Sequence, residues 1–189
     1  MNSFKFKKAV QVLNYFAQKE GGEINYMKAV KLVWLSDRAH LRIYGRTITN
    51  DQYVAMKNGP VPSGTKDLIL KSPFFESEVL DYTNKYLSKA DDYVFSSIGD
   101  LDDTLFSKTD LKIMEDIYNT YGDKSQYELR DYSHQFPEWK RFETELNLGK
   151  AKVFNIIETD FFENGIKEKP FAQSDELLSL SKQHFLHIL

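Results

Sequence analysis

"NYMKAVKLVWLSDRAHLRIYG", residues 25–45, decides how the rest of the chain is read. At 100° per residue, Val30, Val33, Trp34 and Leu41 fall on one face of a helix, and Leu32, Leu35, Ala39 and Ile43 on nearly the opposite one. A helix that is apolar on two sides is sandwiched between other elements. The spacing therefore predicts a central helix over about residues 25–44, ended by Gly45. Lys31, Arg38 and Arg42 share the strip between the two faces and read as a basic stripe along the helix's open edge.

Upstream, Phe6, Val10, Leu13 and Ala17 recur at helical spacing and predict an amphipathic helix over 4–19, ended at Gly21-Gly22. Downstream, Tyr53 to Met56 reads as a short buried strand or extended segment. "NGPVPSG" (58–64) then holds two of the chain's nine glycines and two of its five prolines. Proline fixes φ and Gly59 can adopt a φ that other residues resist. The segment reads either as a tight structural turn or as a stiff exposed loop that loses little entropy on docking. Pro62 suits the first turn of a following helix.

The remainder is mostly helical in pattern. Residues 81–98 are the exception and read as a β-hairpin, "KYL" and "YVFSS" around "SKADD". Ser107 or Thr109 caps a helix over 110–121 with Leu111, Met114, Ile117 and Tyr118 as its stripe. Short helices at 125–133 and 138–146 flank Pro137, and 151–163 and 175–187 read as helices. The expected fold is mainly α (α+β): a compact helical domain around a central buried helix, with a small hairpin or short-strand element, in one domain over 1–189.

Composition bounds the function. Of 189 residues 41% are hydrophobic, with 14 Phe and 11 Tyr, which is ample for a core. With no cysteine there is no disulfide, thiolate nucleophile or Cys-bound metal, which suits a reducing cytoplasm. Neither a signal peptide nor a membrane-spanning run is expected. A net charge of −3 argues against a dedicated nucleic-acid binder.

The ordered set "KLVWLSDRAHLRIYGRTITNDQYVAMKNGPVPSG" (31–64) resembles the signature of the SocA/GepA-type, or Panacea, antitoxin domain. Its elements are Asp-Arg-x-His-Leu and Tyr-Gly, an Ile-Thr turn, Tyr-x-Ala-Met and Gly-Pro-Val-Pro-Ser. "YSHQFPEWK" (132–140) resembles the family's second mark, a Ser-His followed by Pro and Trp. The resemblance implies an antitoxin of a bacterial or phage toxin–antitoxin pair. It would neutralise by direct binding a toxin encoded in the adjacent gene, with delivery of that toxin to a cellular protease as the alternative. The domain is expected to begin almost at Met1, so no N-terminal DNA-binding module is expected.

Several constellations bear on chemistry. Asp37, His40 and Tyr44 lie at i, i+3 and i+7 on one helix face. They read first as a polar network that pins the central helix, and second as a general base with an orienting acid, an enzyme of unknown substrate. No nucleophile or metal spacing accompanies them, so no catalyst is expected. Arg38, Arg42, Met56, Lys57, Pro60 and Val61 are the candidate toxin-contacting residues. Gly45, Gly59, Pro62, His134 and Trp139 read as structural, His134 and Trp139 fixing the corner around Pro137, with an exposed Trp139 anchor as the other possibility. His184 and His187 supply only half a metal site, and "KADD" and "DLDDT" lack calcium-loop spacing. No cofactor or metal is expected.

Overall fold

A computed structural model of the chain describes residues 4–165 and 169–188. The chain enters through α1 (Phe6–Lys19), whose Ala9, Val10, Val12, Leu13, Phe16 and Ala17 are buried. After Gly21-Gly22 comes β1 (Glu23–Asn25), and then α2 (Tyr26–Tyr44). The Asn25 carboxamide caps α2, its Oδ1 accepting from Met27 N (3.0 Å) and Lys28 N (3.4 Å). Gly45 ends it in the left-handed region at φ 67°. A side chain there would also strike the carbonyl of Ser181, 2.6 Å from the Cβ position.

Every residue of α2 from Lys28 to Arg42 is buried. The two-sided apolar pattern thus has its expected outcome, a helix at the centre of a mainly α (α+β) molecule. α1 covers one side of it. The others are covered by β3 (Gly59–Pro62), α3 (Ser63–Ile69), α5 (Lys108–Tyr121), α6 (Gln126–Ser133) and α9 (Asp175–Ile188). Between these lie β2 (Tyr53–Met56), α4 (Ser77–Tyr86), β4 (Val94–Ser96), α7 (Pro137–Lys140), α8 (Glu143–Asn147) and β5 (Val153–Ile156).

The strands form two antiparallel sheets, β1-β4 and β3-β2-β5. "NGPVPSG" is therefore not an exposed loop. Its Gly59–Pro62 is a buried strand, joined to β2 by the two-residue turn Lys57-Asn58 with Met56 opposite Gly59. Pro62 is the residue just before α3 rather than its first.

Three other expectations are corrected. The hairpin expected over residues 81–98 is confined to Leu87–Ser97: α4 runs to Tyr86, Leu87 bridges Ser97, Asp91 and Val94 exchange backbone bonds of 2.8 Å across a tight turn, and β4 pairs on its other side with β1. Thr83 and Tyr86 are buried and Tyr82 packs edge-on to Phe6 of α1 at 5.8 Å, a helical spacing that outweighs the β propensity of Tyr and Leu. Residues 151–163 are not helical throughout: Val153–Ile156 is a strand and Glu158–Phe162 a 3-10 turn. Residues 138–146 are broken into α7 and α8. The Ser107 cap is found as a full capping box with Asp110 at the head of α5.

Candidate functional site

The basic strip of α2 is not an open edge. Lys31, Arg38 and Arg42 are each 1% exposed, because the C-terminal half of the chain closes over them. Arg38 Nε donates to Glu138 Oε1 at 2.6 Å, with Glu138 itself fully buried. The Arg38 guanidinium also stacks over Phe136, 4.5 Å from the ring centre. Arg42 donates to the carbonyls of Phe161 (2.7 Å) and Phe171 (3.0 Å) and to Asn164 Oδ1 (2.8 Å). Burial, and then the neighbouring charge of Arg38, lower its pKa to about 10. Neither guanidinium lies on a free surface, so their assignment as an exposed contact strip does not match their position.

Asp37, His40 and Tyr44 share a face but do not converge. Asp37 accepts from Ile48 N (2.7 Å), Thr49 N (3.0 Å), the Thr49 hydroxyl and Tyr53 OH (2.9 Å). Burial raises its pKa against those four bonds. His40 faces another way: Nδ1 donates to the Arg46 carbonyl (2.7 Å), and Nε2 lies 3.0 Å from Asp110 Oδ1. Burial would raise the Asp110 pKa, but bonds from His40, Lys8 and Ser107 N and the charge of Arg46 pull it well below the usual carboxylate range. Tyr44 only packs on the His40 ring, at 4.7 Å. The group ties the loop after α2, β2 and α5 to the central helix.

Asp51 makes a second junction of this kind, accepting from Gly64 N (2.8 Å), Thr65 N (2.7 Å) and Thr65 Oγ1 (2.7 Å) where β3 becomes α3. Burial pushes its pKa up to about 6. Nothing in the hydrophobic pattern marked Asp51; the nearest signal was its place beside the Gly/Pro-rich turn.

The motif residues come together at the β2-β3 hairpin. Gly59 has φ 98°, and a Cβ on it would lie 2.5 Å from Lys31 Nζ and closer still to Ser133 Oγ, so only glycine fits. Lys31 Nζ donates to the Pro60 carbonyl at 2.8 Å. With no carboxylate beside it, burial drives its pKa well below the usual value. Trp139 is buried and donates from Nε1 to the Met56 carbonyl (2.8 Å), and His134 stacks flat on it, 3.7 Å between ring centres. Burial, and then the Lys31 charge, lower the His134 pKa to about 4. Trp139 is thus a core residue that clamps the hairpin from α7, not an exposed anchor.

Above this clamp the hairpin tip and the start of α2 enclose a cleft of about 160 Å³. Its walls are Met27, Val30, Met56 and Val61, and Lys57 and Asn58 form an exposed rim. Met56, Lys57 and Val61 of the candidate contact residues therefore line one cavity. Pro60 is buried, with its carbonyl turned to Lys31. A larger hollow of about 410 Å³ lies between the 3-10 turn and α9, lined by polar groups such as Asp160, Glu163 and Lys182. Among the described residues no group of three or more His, Asp and Glu side chains is placed to hold a metal, and no helix is long and apolar enough to cross a membrane.

The central helix, its buried polar ties and the proline-edged hairpin clamped by a His-Trp stack fall in a stretch that matches a known family of antitoxin-like domains. The family model "Antitoxin SocA-like, Panacea domain" matches residues 30–140, more than half of the chain, and the protein belongs to that family. No curated protein and no solved structure matches it. The matched span contains Lys31, the hairpin, His134 and Trp139; β5 and α9 lie beyond it.

Proposed function

We propose that this protein is an antitoxin that neutralises a cognate protein toxin by direct binding, and that the hairpin-tip cleft seats an apolar side chain of that toxin. The observation that carries this reading is the cleft's construction from the family's own residues. Val30, Lys31, Met56, Lys57 and Val61 lie within the matched span and line it. A small apolar hollow with a charged rim fits a single buried anchor surrounded by polar contacts, the usual arrangement of an interface hot spot. The hairpin is preorganised by the Gly59, Pro60 and Pro62 backbone and by Trp139, so docking orders little. Asp37, His40 and Tyr44 serve as ties in this reading, and the protein acts as a binding module without catalysis.

The test is co-expression with the product of the adjacent gene. The expected result is growth arrest by that product alone, growth with both, and a complex recovered through a tag on this chain. Rescue with disappearance of the toxin and no complex would replace occlusion by delivery to a protease. A harmless neighbour that binds nothing would defeat the reading.

A further inference from the structure

The three-stranded sheet has one edge that is finished and one that is not. Pro60 and Pro62 have no N–H, so the ladder of β2 with β3 runs through Val54–Val61 and Met56–Gly59. The bond from Ser63 N to Gln52 O, 2.8 Å, continues the same alternation. Tyr53 and Ala55 therefore turn their backbone groups to β5, where they meet Ile156 and Phe154. It follows that Val153 and Asn155 present their N–H and C=O groups outward, and Ile157, still extended at φ −93° and ψ 133°, adds its N–H to the row, its C=O accepting from Asp160 N at 2.8 Å. Among the described residues no strand pairs with this edge. Val153 and Ile157 are 45% and 61% exposed beside it.

The residues along this edge are complementary to themselves. Antiparallel pairing of two copies about Asn155 sets Val153 opposite Ile157, Asn155 opposite Asn155 and Lys152 opposite Glu158, each cross-pair occurring twice by the two-fold axis. Val153, Asn155 and Ile157 are the outward-facing residues that such a ladder must use. Lys152, at the bend before β5, and Glu158, the first residue of the 3-10 turn, flank the extended run, so opposite charges meet at both ends of the ladder. Neither has an ion-pair partner among the described residues; the nearby Arg141 is engaged by Asp160 at 3.2 Å and Glu163 at 2.9 Å. The two adjacent registers are poorer. One sets Val153 against Asn155, and the other puts a hydrogen-bonding position, Val153, against Thr159 inside the 3-10 turn, which the register about Asn155 reaches only at its outermost pair, Lys152 and Glu158.

We propose that the β5 edge binds the β5 edge of a second copy of this chain, joining two three-stranded sheets into one of six strands across a two-fold axis at Asn155. The contact is independent of the toxin-binding reading and uses residues beyond the family-matched span. Five facing pairs make a small interface, so the dimer is weak and concentration-dependent, with Kd of about 10–100 µM.

Sedimentation velocity of the full chain from about 1 to about 300 µM tests this. The wild type is expected to pass from monomer to dimer, and Asn155→Pro to stay monomeric with an unchanged melting temperature, since the Asn155 N–H faces away from β2. Lys152→Glu and Glu158→Lys are each expected to shift the equilibrium at least tenfold towards monomer, and an equimolar mixture of the two to recover the dimer. This charge exchange decides the matter even if the proline variant misfolds. A wild type that remains monomeric throughout overturns the proposal. So does a dimer indifferent to both charge variants, or a mixture that recovers nothing.

Discussion

The two edges of the β3-β2-β5 sheet solve the same problem in opposite ways. At β3, prolines remove the outward N–H groups, Lys31 occupies the outward Pro60 carbonyl, and α2, α6 and α7 cover what remains. At β5, the outward groups of Val153 and Asn155 are left available beside exposed apolar side chains. The closed edge is built from the family's signature residues, and the open one from residues that follow it. On the two proposals the difference separates two roles: β3 is held rigid and presents the hairpin-tip cleft to a toxin, and β5 accepts a strand. Substitutions on the closed side should therefore cost folding stability, and substitutions on the open side should not.

The largest effect is expected beneath the closed edge. Arg38→Met leaves the fully buried Glu138 carboxylate without its partner and should cost about 3–5 kcal/mol in urea unfolding. A loss under about 1 kcal/mol would mean that Glu138 finds other compensation and that α7 is not fixed through Arg38. Gly59→Ala should follow at about 2–4 kcal/mol, because it combines an unfavourable φ with a clash against Lys31 Nζ. Chemical denaturation of this variant beside Asn155→Pro sharpens the contrast. The β5 substitution should stay within about 0.5 kcal/mol of wild type, as its N–H serves no bond within the sheet.

A smaller effect is expected with pH. The His134 pKa falls from 6.5 to about 4 in the fold, so between those values the folded state binds fewer protons than the unfolded one. The contribution of the neutral, Trp139-stacked ring is complete above pH 6.5 and is lost as the pH falls towards 4. Asp51, raised to about 6, works in the opposite direction over part of that range. The comparison is therefore wild type against His134→Phe, which share Asp51. The difference in unfolding free energy should favour the wild type at neutral pH and shrink on acidification; a difference independent of pH would show that the ring's ionisation does not matter.

The sequence showed most clearly what local periodicity controls. The two apolar faces of residues 30–43 announced a sandwiched helix, and all of Lys28–Arg42 is buried. Gly45 and Ser107 acted as the stop and cap that their chemistry suggested. Long-range partners were not legible. Arg38 sits between two apolar faces and looked like a solvent edge, because nothing local reveals that Glu138, a hundred residues on, reaches back to it. β5 was read as helix because a strand is defined by the partner it pairs with, and that partner is β2. β3 was hidden by its own prolines, which are permitted in a sheet only at an edge. Within the candidate site, the candidate contacts Met56, Lys57 and Val61 line one cleft, whereas the burial of Pro60 and the place of Lys31 beneath it required the hairpin's register.

The most direct test of the toxin-binding reading is the affinity of the purified pair, this chain with the adjacent gene's product, measured by isothermal titration for wild type, Met56→Asp and Asn155→Pro. Met56 is half-buried at the cleft wall, so an aspartate there should weaken binding by about 100-fold or more while the melting temperature holds. Asn155→Pro should bind as wild type does. Unchanged binding by Met56→Asp, with binding lost in Asn155→Pro, would contradict the reading and move the toxin from the clamped hairpin to the open strand.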